Sequence, residues 1–394
     1  MCERVIDTEP HIAAVGTSPL GRTDLTGRDL FSAAVAEAFE VGPDPSEVVD
    51  AVYVGNQSES YEHQIMHGTL LAEWCGLRHV PAERVEGCAA AGALALRHAV
   101  EDVRSGRRDA VLACGVEKMT AGGTAGATNA LSAAFDRALE QRSGVTAPSQ
   151  YALLAQRYLH ETDATERDLA RIAVKNHANG AANPRAQFQR ETDVETVLDS
   201  DYVAPPLKLF DCAPVTDGAA VVLVATEEIA ARFVDGRPSV RIAGVGAGAN
   251  NIGVADRNLT FVEGANEAAT TAYDEAGVDP ADVDVAEVHD AFTVSEALLA
   301  EAAGLAPRGR GYESALPPAD RSDGWTDTHL STSGGLKARG HPIGATGLAQ
   351  AVEVYEQLTG TATPERQVDD ATTGLLINEG GVADAVTVAH VLST

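Results

Sequence analysis

The run Gly334-Gly335-Leu336-Lys337-Ala338-Arg339-Gly340-His341-Pro342-Ile343-Gly344-Ala345-Thr346-Gly347 places one histidine in a glycine-crowded turn that leads into an apolar-periodic helix. Glycines permit positive φ and close backbone approach, and Pro342 stiffens the turn, so the His341 imidazole is held over a place that a substrate can enter. An imidazole so held can exchange protons near neutral pH or donate a hydrogen bond. A lone Gly-His-Pro would equally be a helix-entry turn with an incidental histidine. A second histidine stands in Val288-His289-Asp290-Ala291-Phe292, where a strand-end cap bonded by Asp290 is the structural alternative.

The elements that must position these residues alternate as in an α/β protein. His11 to Val15 and Ala51 to Gly55 are predicted strands, with a helix from Leu30 to Val41 between them. From Gly92 to Val103, Leu96, Val100 and Val103 share one helical face, and a turn at Ser105-Gly106-Arg107-Arg108 leads to a strand at Ala110 to Cys114. Leu348, Val352, Tyr355 and Leu358 predict a later helix, followed by a strand at Thr373 to Ile377. Each half thus shows a glycine-containing lead-in, a helix and a strand ending in small residues, a weak internal duplication. Between the halves, Gly122 to Pro206 is rich in Ala, Asn, Gln and Arg and has little strand pattern.

With 394 residues the chain has ample capacity for a core. It carries 29 Lys and Arg against 58 Asp and Glu, a formal charge of −29, and only four lysines: Lys118, Lys175, Lys208 and Lys337. A Lys-poor, acid-rich surface stays hydrated in concentrated salt, where screening weakens self-repulsion, so a halophilic source is expected. The same balance argues against nucleic acid and against an anionic membrane surface. There is no N-terminal apolar leader pattern and no run of about 18 apolar residues, so a cytoplasmic protein is expected. Cys2, Cys75, Cys88, Cys114 and Cys212 lack CxxC or CxxH spacing, which suggests neither a disulfide framework nor a metal site.

Residues 334–347 resemble the GHPxGxTG signature of the thiolase superfamily. The likeness extends, in the family's order, through Arg84-Val85-Glu86-Gly87, Gly115-Val116-Glu117-Lys118-Met119, Asn183-Pro184-Arg185-Ala186-Gln187-Phe188, Asp217-Gly218-Ala219-Ala220 and the His289 run. The His-first form of that last run is similar to archaeal acetyl-CoA acetyltransferases and sterol-carrier-protein-type thiolases. The resemblance implies a thiolase fold: two similar βαβ-rich halves, 1–235 and 236–394, in a five-layered αβαβα arrangement, with a loop domain at about 122–206. It further implies an acyl-CoA C-acyltransferase that joins two acyl-CoA molecules, or cleaves a 3-oxoacyl-CoA, through an acyl-enzyme. By resemblance, His341 activates a nucleophile and donates to the enolate oxygen, while His289 completes that donor set. The related 3-hydroxy-3-methylglutaryl-CoA synthases share the fold, but the Gly-His-Pro turn favours thiolase.

Two departures from the family pattern stand out. Counting three residues forward from Glu86 and three back from Gly92 both place Ala89, not Cys88, in the nucleophile register. An alanine cannot attack a thioester. The chain is then an inactivated form whose parent carries Cys or Ser at 89, or it uses Cys88 after a one-residue adjustment, or it is a binding or scaffold subunit without the chemistry. The first reading is preferred on the sequence, because one helical step turns a side chain by about 100°. Cys88 remains the only neighbour able to substitute. The second departure is Asn378, which stands where the family's second cysteine acts at the substrate α-carbon, so the base becomes His289 or Glu379, or that of the cysteine-free archaeal arrangement. Gly380 and residue 89 would still offer backbone N–H groups to an oxyanion.

No phosphate loop or dinucleotide fingerprint is present, and no covalently bound cofactor is expected. Coenzyme A thioesters are the expected ligands, with Arg157, Arg185 and Lys208 as candidates for their phosphates and a solvated surface as the alternative for each. The resemblance also implies a homo-oligomer and a separate small OB-fold zinc-ribbon partner.

Overall fold

The computed structural model describes residues 8–233 and 236–394; Cys2 and residue 235, at the expected boundary between halves, lie outside the described residues. The first half runs β1 (His11–Thr17), α1 (Gly27–Ala38), β2 (Ala51–Gly55), α2 (His67–Trp74), β3 (Ala82–Val85), α3 (Ala91–Arg104) and β4 (Ala110–Lys118). The helices α4 (Gly123–Ser132), α5 (Ala147–Glu161) and α6 (Glu166–Ala181) follow, then a short helical turn at Val194–Leu198, before β5 (Asp217–Ala225) closes the half. The second half runs β6 (Val240–Ala249), α7 (Glu263–Ala276), β7 (Val285–Glu287), α8 (Thr293–Ala302), β8 (His329–Leu330), α9 (Thr346–Thr359), β9 (Thr373–Gly380) and β10 (Val386–Ser393).

These strands lie in the order β8-β7-β9-β10-β6-β1-β5-β4-β2-β3. The two half-sheets join where His11 and Ile12 of β1 pair with Arg241 and Val240 of β6. On either side of that join the same order recurs: β3-β2-β4-β5-β1 in one half and β8-β7-β9-β10-β6 in the other. In each half the three strands farthest from the join are parallel, and the remaining pairings are antiparallel. The duplication visible in the sequence is therefore topological. It makes the lead-in to α3, which holds Cys88, the counterpart of the lead-in to α9, which holds His341.

Helices α3 and α9 pack between the half-sheets. Leu96 and Val100 of α3 and Leu348 and Val352 of α9 share one core with Val111 and Val222 from one half and Val285 and Leu376 from the other. Each fully buried Leu or Val there contributes roughly 1.5–3 kcal/mol relative to exposure. Leu30, Phe31 and Leu71 cover the outer face of the first half. Ala268, Ala272 and Leu298 cover that of the second. Five layers result, αβαβα. Helix α9 is buried on every side, not only along its predicted stripe, because it has a sheet on two sides and α3 on a third. The expected loop region is largely helical: α4, α5 and α6 carry it, with a small hairpin of Tyr202–Ala204 and Leu207–Lys208 at its end.

Candidate active site

Both central helices begin with a 3-10 turn, Cys88–Ala90 before α3 and Ile343–Ala345 before α9, and the two turns pack against each other. Cys88 is not in helical register. Its φ is +52°, a left-handed value that costs a non-glycine residue energy and turns the side chain away from the helix line. The half-buried thiol lines a cavity of about 470 Å³ with Glu86, Gly380, Gly381, Ile252 and Val386. The backbone N–H groups of Gly381 and Ala89 favour its thiolate, although burial outweighs them and pushes the thiol up to about 11. Ala89 is buried, its methyl packed among Tyr61, Met119 and Ile343. Gly380 is needed for close approach, since a Cβ there would lie 2.0 Å from the Gly87 carbonyl oxygen.

His341 is fixed on both sides of its ring. Its backbone N–H donates to Thr216 Oγ1 at 2.9 Å, and that hydroxyl donates to Gln187 Oε1 at 2.7 Å, in the Asn183–Phe188 run. Its Nδ1 lies 2.7 Å from Thr346 Oγ1, whose own proton is directed at the Pro342 carbonyl, 3.0 Å away. With that hydroxyl proton spent, Nδ1 carries the ring hydrogen and donates, leaving the Nε2 lone pair free. Burial, and then the Arg339 charge, lower the imidazole to about 3, so it is neutral at ordinary pH. A neutral ring with an unused lone pair can accept a proton.

His289 follows β7 and is likewise buried and held neutral, by burial first and then by His341 and Arg339. The two carboxylates flanking it reach the same turn. Glu287 accepts Ser333 N–H at 3.0 Å and Ser333 Oγ–H at 2.7 Å, and Asp290 accepts Leu336 N–H at 2.7 Å and Asn176 Nδ2 at 2.7 Å. Gly335 makes room for this: its φ is +57°, and a Cβ would lie 2.1 Å from Asp290 Oδ2. Asp290 thus braces the glycine turn rather than capping His289. Phe292 stacks on Tyr151 of α5 at 4.3 Å, which docks the helical insertion onto the His289 loop.

Strand β9 runs from His289 to the thiol. Asn378 Nδ2 lies 2.9 Å from His289 Nδ1, and three residues further along the chain Gly381 lines the cavity with Cys88. Glu379, the next residue along the strand, faces the other way. Its carboxyl is buried, with neither oxygen bonded, and is pushed well up by burial and by Asp384.

The three cations named from sequence are not at this cavity. Arg157 pairs with Glu161 on the exposed face of α5. Arg185 bridges Glu37 and Glu356, at 2.7 Å each. Lys208 is buried, with its ammonium 4.0 Å from the centre of the Tyr202 ring. Arg84 does line the cavity, bonded to the Asn56 and Gln57 carbonyls and to Glu59. Sequence reasoning also passed over Thr216, Thr346 and Gln350, and gave Glu117 no role. Glu117 is fully buried and accepts the N–H groups of Gln57 at 2.7 Å and Gly344 at 3.1 Å, tying the loop after β2 to the His341 turn. A carboxylate in a strand that is apolar from Ala110 to Val116 was the available signal. No group of three or more His, Cys, Asp or Glu among the described residues could hold a metal ion.

Residues 11–228 match the family model for the thiolase N-terminal domain and residues 244–394 that for a thiolase C-terminal domain-like region. This chain belongs to the thiolase family. It is 40% identical over 94% of its length to an acetyl-CoA acetyltransferase of Methanothermobacter thermautotrophicus, of which it covers 95%. The corresponding enzyme of Methanocaldococcus jannaschii is 38% identical, with 93% of this chain and 94% of that one aligned. The benzoylsuccinyl-CoA thiolase subunit BbsB of Thauera aromatica is 35% identical, with 90% of each chain aligned. Among solved structures, human mitochondrial 3-ketoacyl-CoA thiolase superposes with a TM-score of 0.76 at 17% identity, over 99% of this thiolase chain and 100% of the human one. The Ltp2-ChsH2(DUF35) aldolase gives 0.82 at 23%, over 99% of each. These two likenesses concern the fold.

Proposed function

We propose that this thiolase works as an acetyl-CoA C-acetyltransferase, an acyl-CoA C-acyltransferase of the acetoacetyl-CoA type, with Cys88 as its nucleophile. The observation that carries this reading is the Cys88 thiol standing in the cavity, while the Ala89 methyl is packed into the core. The thiol is protonated at neutral pH and needs a base. His341 Nε2 takes the proton, and the thiolate attacks the thioester carbonyl. The tetrahedral intermediate then collapses, and the coenzyme A sulfur leaves with the proton held by His341. The acetyl group is now on Cys88, and His341 is neutral again.

Condensation needs a proton acceptor at the α-carbon of the second acyl-CoA and donors for the enolate oxygen. His341 Nε2 has the free lone pair. Glu379, on the opposite face of β9, does not reach this place. His341 takes the α-proton, His289 donates to the enolate oxygen, and carbon–carbon bond formation at the acetyl carbonyl expels the Cys88 thiolate, which recovers the proton from His341.

The register count supports a second reading, in which Ala89 marks a nucleophile-lacking binding or scaffold subunit. Thiolysis of acetoacetyl-CoA in high salt separates the two. Turnover that is lost in Cys88→Ala supports the first; turnover only after Ala89→Cys supports the second. We further propose a cytoplasmic homo-oligomer suited to concentrated salt, in keeping with the net charge of −29. The similar Ltp2-ChsH2(DUF35) aldolase joins two components, which favours a separate small partner here too, of the OB-fold zinc-ribbon kind. No helix among the described residues is long and apolar enough to cross a membrane.

A further inference from the structure

Asn378 stands where a family cysteine would titrate, yet it has no proton to give near neutral pH. Its contacts assign it different work. Gln350, in the buried helix α9, directs Nε2 at the Ile377 carbonyl, 3.4 Å away. That carbonyl belongs to β9 and cannot be turned round. Gln350 Oε1 must then face Asn378, and it receives Asn378 Nδ2 at 3.1 Å. The same NH2 group points its second hydrogen at His289 Nδ1, at 2.9 Å. A flipped Asn378 would set two amide oxygens against each other, and flipping Gln350 to relieve that would set its oxygen against the Ile377 carbonyl. The orientation of the backbone is thus passed through two side-chain amides to a ring nitrogen.

We propose that Asn378 is a positioning residue that fixes the tautomer of His289, with Gln350 as its orienter; as a statement about catalysis this rests on the thiolase reading above. An NH2 group only donates, so His289 Nδ1 carries the lone pair and Nε2 carries the hydrogen. His341 has the reverse arrangement, Nδ1–H to Thr346 and a bare Nε2. One site therefore holds two neutral imidazoles of opposite tautomer. The first, His289, is a fixed donor for the enolate oxygen, and the second, His341, is a fixed proton acceptor. Replacing a titrating cysteine by asparagine moves proton exchange to His341 and leaves His289 unable to accept.

The test is nitrogen NMR of the full-length protein carrying ¹⁵N-labelled histidine, in high salt near neutral pH. The His289 signals are assigned by their loss in His289→Gln. A bare nitrogen resonates well apart from a protonated one, and the expected spectrum shows His289 neutral with its proton on Nε2. A proton on Nδ1 in the unaltered protein would overturn the proposal, whatever any variant does. Asn378→Asp replaces the donor by an acceptor, so the proton should move to Nδ1 and an ionisation of His289 should enter the accessible pH range. In rapid-quench kinetics that variant should retain acyl-enzyme formation and lose condensation about 10²–10³-fold, the usual effect of removing one oxyanion donor. An unchanged tautomer in a folded Asn378→Asp protein would also overturn it. The NMR readout does not need turnover, so failure of the thiolase reading would show as absent acylation with the tautomer intact.

Discussion

His289 and His341 face each other edge to plane, with ring centroids 5.0 Å apart and ring planes at 82°. A proton on either ring would be buried beside the other and near Arg339, which is why both are held neutral. Opposite roles follow from their opposite hydrogen-bond partners, not from different acidities.

Substituting the two histidines should therefore separate the two half-reactions. His341→Ala removes the proton acceptor and should suppress both acylation and condensation. His289→Ala should leave acylation partly intact and reduce condensation by about 10²–10³. Rapid-quench measurement of acyl-enzyme beside steady-state thiolysis reads both steps; equal, small effects with an intact circular dichroism spectrum would give these histidines structural roles only.

A third histidine contributes to acid stability. His390 is fully buried in β10 between Val245 and Leu376, with neither ring nitrogen bonded, and burial, then Arg97 and Arg104, lower it to about 3. The unfolded chain takes up this proton near 6.5 and the folded one does not. The contribution is thus whole above pH about 6.5 and is lost as pH falls from there towards about 3. His390→Leu should narrow the difference in melting temperature between about pH 5 and about pH 7.5, and an unchanged difference would contradict this account.

At Gly380 the prediction concerns packing beside the thiol. Alanine there must push Gly87 and hence the Cys88 lead-in aside, since the Gly87 carbonyl oxygen would lie 2.0 Å from the new Cβ. The expected cost is roughly 1–3 kcal/mol of stability with a loss of acylation larger than any loss of fold. Chemical denaturation and burst-phase acylation measure the two.

Charge makes a separate prediction. With 58 acidic against 29 basic side chains, self-repulsion dominates at low ionic strength, where the Debye length is about 30 Å at 0.01 M against about 3 Å at 1 M. The melting temperature should rise between about 0.1 M and about 2 M KCl. A flat dependence would count against adaptation to salt.

Much of the fold was legible in the sequence because it rests on local periodicity. The strand Ala51–Gly55 has its predicted limits, and the helix predicted from Gly92 to Val103 extends by one residue at each end. The helix predicted from Leu30 to Val41 instead starts at Gly27, where Thr26 and Asp29 form a capping box, and stops at Ala38. The recurrence of one strand order in both halves was beyond reach, since register and pairing join residues far apart in the chain. At the site, motif spacing singled out His289, His341 and Asn378. The environment of Cys88 was hidden because a count along the chain assumes regular backbone, and Gly87 and the positive φ of Cys88 break that regularity. Partners such as Thr216 and Gln350 carry no spacing signal of their own, and only the packed structure shows what they hold.

The most direct test is where an acetyl group goes. The protein is incubated with acetyl-CoA in high salt, its intact mass is measured, and the adduct is located by peptide mapping. The account predicts one acetyl group per chain, on Cys88, absent from Cys88→Ala and retained in His289→Ala. No adduct on the unaltered chain, together with one on residue 89 in Ala89→Cys, would contradict it.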